Sequence, residues 1–189
     1  MTFKDFKKLI SYVESNNNSF AIRFESELYK HAKSDQKILE TIKSINVCST
    51  ATAKMIYCSS WGKYQIMGFN IYGICKFDRE IGAFLCNEWD QDKAFKTFLI
   101  AKYKKPSSFF HTQFVNDIKR ELIMLSTWKE SCKTYSEFVN MIKINYESFP
   151  TLRRFISRYN GSRLPSDHAI DYLLRMLYYY DKKIKKTEV

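Results

Sequence analysis

Apolar residues recur every three or four positions along most of the chain, which is the spacing that one face of an α-helix requires. The first such stripe consists of Phe3, Phe6, Leu9, Ile10 and Val13. Thr2 and Asp5 stand at its start with the spacing of a capping box. The stripe runs into Glu14 and stops at the polar residues 15–19, which are typical of a turn. The sequence therefore predicts a first helix that reaches Glu14.

The same spacing continues through most of the remaining chain. It predicts helices over residues 27–32, 36–45, 50–57, 90–102 and 112–128, and three more that open at Thr134, Pro150 and Ser166. Residues 20–25 alternate instead between apolar and other side chains, which indicates a short strand with Arg23 and Glu25 on one face. The predicted fold is therefore mostly α, an α+β arrangement in which a helical domain carries a minor extended or β element.

The length and composition fit one folded domain. The chain has 189 residues, of which 45% are hydrophobic, and it contains only five glycines and three prolines. A chain of this size buries a full hydrophobic core. We therefore predict a single domain over residues 1–189.

Positive charge is concentrated in the second half of the chain. The formal net charge is +11. Residues 1–100 carry 14 basic and 11 acidic side chains, whereas residues 101–189 carry 17 and 9. Such a field attracts nucleic acid, an anionic membrane surface or an acidic cell wall, and charge alone does not choose among them. The acidic side chains of Asp78, Glu80, Glu88 and Asp90 are interpreted as solvated.

The cysteines and histidines suggest no metal centre. The five cysteines are odd in number and include no Cys-x-x-Cys pair, and the three histidines lie far apart in the sequence. We expect idle thiols of a protein made in a reducing compartment, with no metal and no cofactor. We also expect no signal peptide and no transmembrane helix, because no long apolar run is present.

Residues 59–70, with the sequence SSWGKYQIMGFN, combine small, aromatic and amide side chains unusually densely. A loop that turns at Gly62 and presents Trp61, Tyr64 and Gln65 suits a sugar, because aromatic rings cover a pyranose face and an amide binds hydroxyl or acetamido groups. Trp61 could equally pack in the core, and Gln65 could brace the loop.

Four segments in their order along the chain resemble a known superfamily. They are Glu14-Ser15, the segment IRFE at residues 22–25, residues 59–70, and Tyr159-Asn160-Gly161. The order resembles the lysozyme-like superfamily, and more closely the N-acetylmuramidase family found in phage endolysins. That family has Glu-Ser, an aliphatic-x-Phe-Glu segment, Ala-Ser-Trp-Gly-x-x-Gln-Ile-Met-Gly-x-Asn and Tyr-Asn-Gly. The resemblance covers residues 8–100 and 150–180, and residues 103–148 are interpreted as a helical insertion atypical of the family.

The resemblance implies a peptidoglycan hydrolase that cleaves the β-1,4 bond between N-acetylmuramic acid and N-acetylglucosamine, with Glu14 as general acid. Such an acid must stay protonated near neutral pH, which requires a partly desolvated, apolar site. Glu25 is the candidate second carboxylate, although it could simply pair with Arg23. The implied substrate-binding residues are Ser60, Trp61, Tyr64, Gln65, Tyr159 and Asn160.

Two alternatives remain open. A lytic transglycosylase would use one glutamate as acid and then base, and would leave a 1,6-anhydro end. A basic helical protein that binds nucleic acid would explain the charge but not residues 59–70. For the hydrolase, the expected partners are peptidoglycan strands and an anionic cell envelope, without specific nucleic acid. We expect a monomer that is released from the cytoplasm by a holin-type or secretion system.

Overall fold

The computed structural model describes residues 1–31 and 33–185, and it is mostly helical with one small antiparallel sheet, as predicted. The helices are α1 (Phe3–Ser15), α2 (Ser26–His31), α3 (Gln36–Ile45), α4 (Thr50–Tyr57), α5 (Gly68–Gly73), α6 (Ile81–Cys86), α7 (Glu88–Tyr103), α8 (Ser107–Phe109), α9 (Val115–Ser131), α10 (Tyr135–Ile144), α11 (Pro150–Tyr159) and α12 (Asp167–Tyr179). The strands are β1 (Ile22–Phe24), β2 (Ser59–Trp61) and β3 (Ile66–Met67). Shorter helical turns cover Phe110–Phe114, Tyr146–Ser148 and Tyr180–Ile184.

The predicted helices form because their ends carry local capping groups as well as an apolar stripe. Thr2 and Asp5 exchange the two hydrogen bonds of a capping box at the start of α1, at 2.7 and 3.2 Å. The observed bounds of α3 and α4 are the predicted ones. The α7 and α9 helices occupy the predicted segments with bounds shifted by one to three residues. Ala32, at the end of the predicted helix over residues 27–32, lies outside the described residues.

The chain divides into two compact units. Unit 1 comprises Met1–Val13 and Pro106–Val189, and unit 2 comprises Glu14–Lys105.

Within the described ranges, no helix has both the length and the apolar character needed to cross a bilayer.

Unit 1 is built on an aromatic core. Phe6 of α1 packs edge-on against Phe114, at 5.2 Å between ring centroids, and against Phe155 of α11, at 5.3 Å. Glu121 of α9 is buried, and its carboxylate accepts the backbone N–H groups of Thr151 and Leu152 at 2.9 and 2.8 Å. This carboxylate satisfies first-turn donors of α11, which have no partner within their own helix.

Unit 2 contains the three-stranded sheet in the order β1-β2-β3. Arg23 of β1 stands opposite Ser60 of β2, and Ser60 stands opposite Met67 of β3. The apolar side of the predicted strand is exposed, since Phe20, Ile22 and Phe24 are 61%, 54% and 46% accessible. The sheet therefore places Arg23, Ser60 and Met67 in one row across its three strands.

Candidate active site

The segment at residues 59–70 is a β-hairpin that turns at Gly62 and runs into α5. Gly62 has a φ of +73°, and its N–H donates to the carbonyl oxygen of Ala21 at 2.8 Å. The N–H of Gln65 closes the turn by donating to the carbonyl oxygen of Gly62 at 3.0 Å. Gln65 itself has a φ of +49°, a left-handed conformation that a non-glycine residue adopts only when its surroundings hold it.

Gln91 of α7 holds this turn from inside. Its side chain is fully buried. Its Oε1 accepts the N–H of Lys63 at 2.8 Å, and its Nε2 donates to the carbonyl oxygens of Ser19, Phe84 and Leu85 at 3.0 to 3.1 Å. A Cβ at Gly62 would approach Gln91 Oε1 to 2.5 Å. The turn therefore requires glycine for its conformation and for the space that Gln91 occupies.

Ion pairs of the buried Lys63 with two more accessible carboxylates support the turn on its β3 side. Lys63 is buried, and its Nζ contacts Glu88 at 2.8 Å and Asp92 at 3.0 Å. Burial by itself would lower the pKa of Lys63. The hydrogen bonds and negative charges of Glu88 and Asp92 raise it by more, so the pKa lies above its usual value. Lys63 is therefore a charged structural anchor rather than a neutral base near pH 7.

The Glu14-Ser15 pair at the end of α1 is tied to the same turn. Ser15 Oγ donates to the carbonyl oxygen of Lys63 at 3.0 Å, across 48 residues of sequence. Glu14 is half-buried, and its Cα lies about 3.8 Å from that of Ser15 because the two are consecutive. The structure thus bonds the residue that follows the candidate acid to the hairpin turn.

Glu25 directly follows β1 and lies close to Arg23 of the same strand and to Ser60 of the neighbouring strand. Its Oε1 lies 2.6 Å from Arg23 Nε and 3.5 Å from Ser60 Oγ. Ser60 is buried, and its hydroxyl also lies 3.1 Å from Met67 Sδ. The side chain of Glu25 keeps 34% of its surface accessible. The predicted proximity of Arg23 and Glu25 is confirmed, and the same carboxylate is open to solvent.

The aromatic rings of the hairpin point into unit 2. Trp61 is buried, and its Nε1 donates to the carbonyl oxygen of Ile56 at 3.0 Å. Tyr64 is 2% accessible, stacks on Phe95 at 4.3 Å between ring centroids, and donates its hydroxyl to Asp92 at 2.7 Å. Burial raises the pKa of the Tyr64 hydroxyl, and the neighbouring Asp92 raises it further. These rings shape the hairpin from inside, and their contact with a sugar stays a prediction.

The amide NH₂ group of the Gln65 side chain stabilises the turn. Its Nε2 donates to the carbonyl oxygens of Ala21 at 3.2 Å and Gly62 at 2.9 Å. The side chain is half-buried. The bracing role is therefore present, and binding of a glycan by Gln65 stays a prediction.

Tyr159 and Asn160 end α11 in unit 1. Tyr159 stacks on Phe155 with 5.1 Å between ring centroids. Asn160 is exposed and caps the helix, and Gly161 follows with a φ of +83°. The predicted helix end is confirmed. A contact of Tyr159 or Asn160 with a substrate stays a prediction.

Sequence reasoning missed the burial of two neighbouring polar residues of α7, Asp90 and Gln91. Asp90 is buried and paired with Arg79, so the interpretation of Asp90 as a solvated charge is wrong. Gln91 was not identified, although it stands three and four residues before the apolar Ala94 and Phe95, on their side of the helix. A polar residue on an apolar stripe is the available signal for such a buried anchor. Among residues 1–31 and 33–185, no group of three or more His, Cys, Asp and Glu side chains is placed to hold a metal ion.

Comparison with known proteins gives a relative by sequence. The chain is 46% identical over 96 residues to the endolysin of Enterobacteria phage PRD1. The match covers 49% of this chain and 64% of the relative, so the chain spans slightly less than two thirds of that protein. No protein-family model matches the chain, and no solved structure matches it.

Proposed function

We propose that this chain is a peptidoglycan hydrolase, specifically an N-acetylmuramidase that uses Glu14 as its general acid. The observation that carries the proposal is the 46% identity over 96 residues to a phage endolysin. An endolysin degrades the cell wall, and the substrate would be the glycan strands of peptidoglycan. The protein would reach them after release by a holin-type or secretion system.

The environment of Glu14 supports the role of proton donor. The residue is half-buried at the end of α1, directly after the buried Val13. Ser15 fixes this end of the helix to the turn through Lys63. Cleavage of a glycosidic bond needs a positioned carboxylic acid that protonates the leaving oxygen. Glu14 would donate that proton.

The surroundings of Glu25 support the role of second carboxylate. Arg23 pairs with one of its oxygens and Ser60 lies 3.5 Å from the same oxygen, while part of the side chain stays accessible. In the proposed reaction this carboxylate stabilises the positive charge on the sugar or activates water. The hairpin residues Ser60, Trp61, Tyr64 and Gln65 are proposed to bind the glycan from unit 2. Tyr159 and Asn160 are the proposed substrate contacts of unit 1.

Product analysis tests the reaction. Purified peptidoglycan is digested with the protein, and the released muropeptides are identified by mass spectrometry. A muramidase leaves a reducing N-acetylmuramic acid end. A product with a reducing N-acetylglucosamine end, or an amidase or peptidase product, would contradict the proposal.

A lytic transglycosylase is the second candidate, because a reaction with one acid needs only Glu14. In that reaction Glu25 would serve as the ion-pair partner of Arg23, which lies 2.6 Å from its Oε1. The same mass spectra separate the two reactions, because a transglycosylase leaves 1,6-anhydro ends. The Glu25→Gln variant adds a second test: hydrolysis with two carboxylates predicts a loss of roughly 10²-fold or more, and a one-acid reaction predicts little change.

A further inference from the structure

Unit 1 carries a concave pocket of about 380 Å³ that is lined by four arginines. Arg153, Arg154 and Arg158 come from α11, and Arg163 comes from the segment that follows it. We call this cavity the arginine pocket. It has no part in the proposed reaction, and the inference drawn from it does not depend on that reaction.

The helix geometry explains why the arginines converge. Residues 150, 153, 154, 157 and 158 follow the i, i+3, i+4, i+7, i+8 spacing of one helix face, so α11 presents them along a single stripe. The opposite stripe, which includes Leu152, Phe155 and Ile156, is buried in the core. The chain then turns after Gly161 and brings Arg163 to the same cavity.

The charge of the arginine pocket is positive. The described residues that line it include four arginines and no acidic side chain. Arg153 lies 3.8 Å from Glu147, whose side chain is 77% accessible. An exposed ion pair at this distance contributes little to stability. Arg154 and Arg163 are exposed. A concave space with this lining suits an anion that carries more than one negative charge.

We propose that the arginine pocket binds a ligand that carries phosphomonoester or pyrophosphate groups. Each guanidinium presents a planar fork of donors that matches phosphate oxygens. A phosphomonoester brings three acceptor oxygens and a charge of about −1.5 to −2, so several arginines bind it at once. A carboxylate offers two oxygens and a single charge, which leaves most of the site unused.

The size and shape of the arginine pocket also indicate which kinds of phosphate-bearing molecule it can bind. A cavity of about 380 Å³ admits a terminal group larger than one phosphate, with Tyr146 and Leu164 available to contact its non-ionic part. A nucleic-acid backbone would need positive charges along an extended track rather than gathered in one cavity. The phosphomonoester headgroup of phosphatidic acid and a soluble phosphorylated glycan share the required chemistry.

Binding of inorganic pyrophosphate to the full chain, measured by titration calorimetry at constant ionic strength, tests the proposal. We expect pyrophosphate to bind about tenfold more tightly than citrate. The double variant Arg154→Gln/Arg163→Gln should weaken binding about tenfold, while Arg120→Gln/Lys129→Gln, which removes two charges elsewhere in unit 1, should change it less than about twofold. Arg154→Lys/Arg163→Lys should give an intermediate loss, because it keeps the charge but not the planar fork. Thermal unfolding of each variant checks that it folds.

Vesicles of phosphatidylcholine with and without phosphatidic acid, whose headgroup is a phosphomonoester, separate the sources. If the parent binds the anionic vesicles and the Arg154→Gln/Arg163→Gln variant does not, the ligand is a lipid headgroup. If the parent binds pyrophosphate but not the vesicles, the ligand is soluble. Equal affinity for pyrophosphate and citrate, or equal losses in the pocket and control variants, would overturn the proposal. A third result would also overturn the proposal: binding of single-stranded DNA of about 20 nucleotides through this pocket, tenfold more tightly than pyrophosphate.

Discussion

The two units are stabilised in different ways. Unit 1 is held mainly by packed aromatic and aliphatic side chains, such as Phe6, Phe114 and Phe155. Unit 2 holds its hairpin with buried polar groups. The buried polar side chains of the described residues are Ser11, Glu121 and Ser126 in unit 1, and Ser59, Ser60, Lys63, Asn70, Asp90 and Gln91 in unit 2.

The two units therefore differ in how well they tolerate substitution of buried residues. An apolar core accepts substitutions that conserve volume, because dispersion and hydrophobic burial are not directional. A buried polar network requires each donor and acceptor to keep its partner, and one lost partner leaves another group unsatisfied. The candidate acid and its neighbours therefore lie in the unit where geometry is most strictly fixed.

The largest loss of stability is expected from Gly68→Ala in unit 2. A Cβ at Gly68 would overlap the carbonyl oxygen of Ile56 and lie 2.7 Å from the carbonyl carbon, both in the backbone. Because backbone atoms cannot rotate away, we expect the free energy of unfolding to fall by about 3–5 kcal/mol in urea titrations. Gly82→Ala is the matched control, since a Cβ at Gly82 would have nothing within 4 Å. Similar effects in both variants would show that the hairpin's junction with α5 is less tightly packed than described.

Replacement of Gln91 by methionine should have the next largest effect. The side chains are similar in size, but Gln91→Met leaves the N–H of Lys63 and three carbonyl oxygens without this partner. We expect a loss of about 2–4 kcal/mol in urea unfolding and a parallel loss of peptidoglycan cleavage. Gln36→Met, at an exposed amide of the same unit, should change stability by less than about 0.5 kcal/mol. A stable, active Gln91→Met protein would contradict the view that polar bonds fix the hairpin.

Glu121 offers the equivalent test in unit 1, through pH. Burial raises the pKa of Glu121, and its backbone donors lower it only in part. The folded state therefore binds this proton more tightly than the unfolded state. The resulting stabilisation is fully present below the unfolded pKa of about 4.5 and is lost as pH rises through the higher folded pKa.

The measurable consequence is a pH-dependent difference between the parent and Glu121→Gln. The free energy of unfolding of the parent relative to this variant should rise when pH is lowered from 7 to about 4.5. Glu130→Gln removes the same charge from an exposed position of α9 and serves as the control. A difference that falls with acidification would reverse the assigned sign.

The smallest change in stability is expected at Glu25. Its pair with Arg23 is partly exposed, so Glu25→Gln should alter the free energy of unfolding by no more than about 1 kcal/mol. Circular dichroism during urea titration measures this change. A much larger loss would make Glu25 a structural anchor of the sheet and would weaken the case for a direct role in cleavage.

Local patterns were sufficient to predict most helices but not the interior of the candidate site. The bounds of α3 and α4 follow from apolar stripes and from caps at Asp35 and Ser49, all close together in sequence. The turn at Gly62 was also predictable. The bonds of Gln91 to Lys63 and Ser19 join residues 28 and 72 positions apart, so no local pattern reveals them. The burial of Tyr64 was not predictable for the same reason, because its partners Asp92 and Phe95 lie 28 and 31 positions away in sequence.

The rate of peptidoglycan cleavage by Glu14→Gln tests the central claim most directly. The substitution keeps the size of the side chain and removes its acidic proton. We expect the rate of clearing of purified peptidoglycan to fall roughly 10²- to 10⁴-fold, and urea unfolding checks that the variant folds. Glu27→Gln, at an exposed position of α2, should retain the parent rate. Clearing by folded Glu14→Gln at the parent rate would contradict the assignment of Glu14 as the general acid.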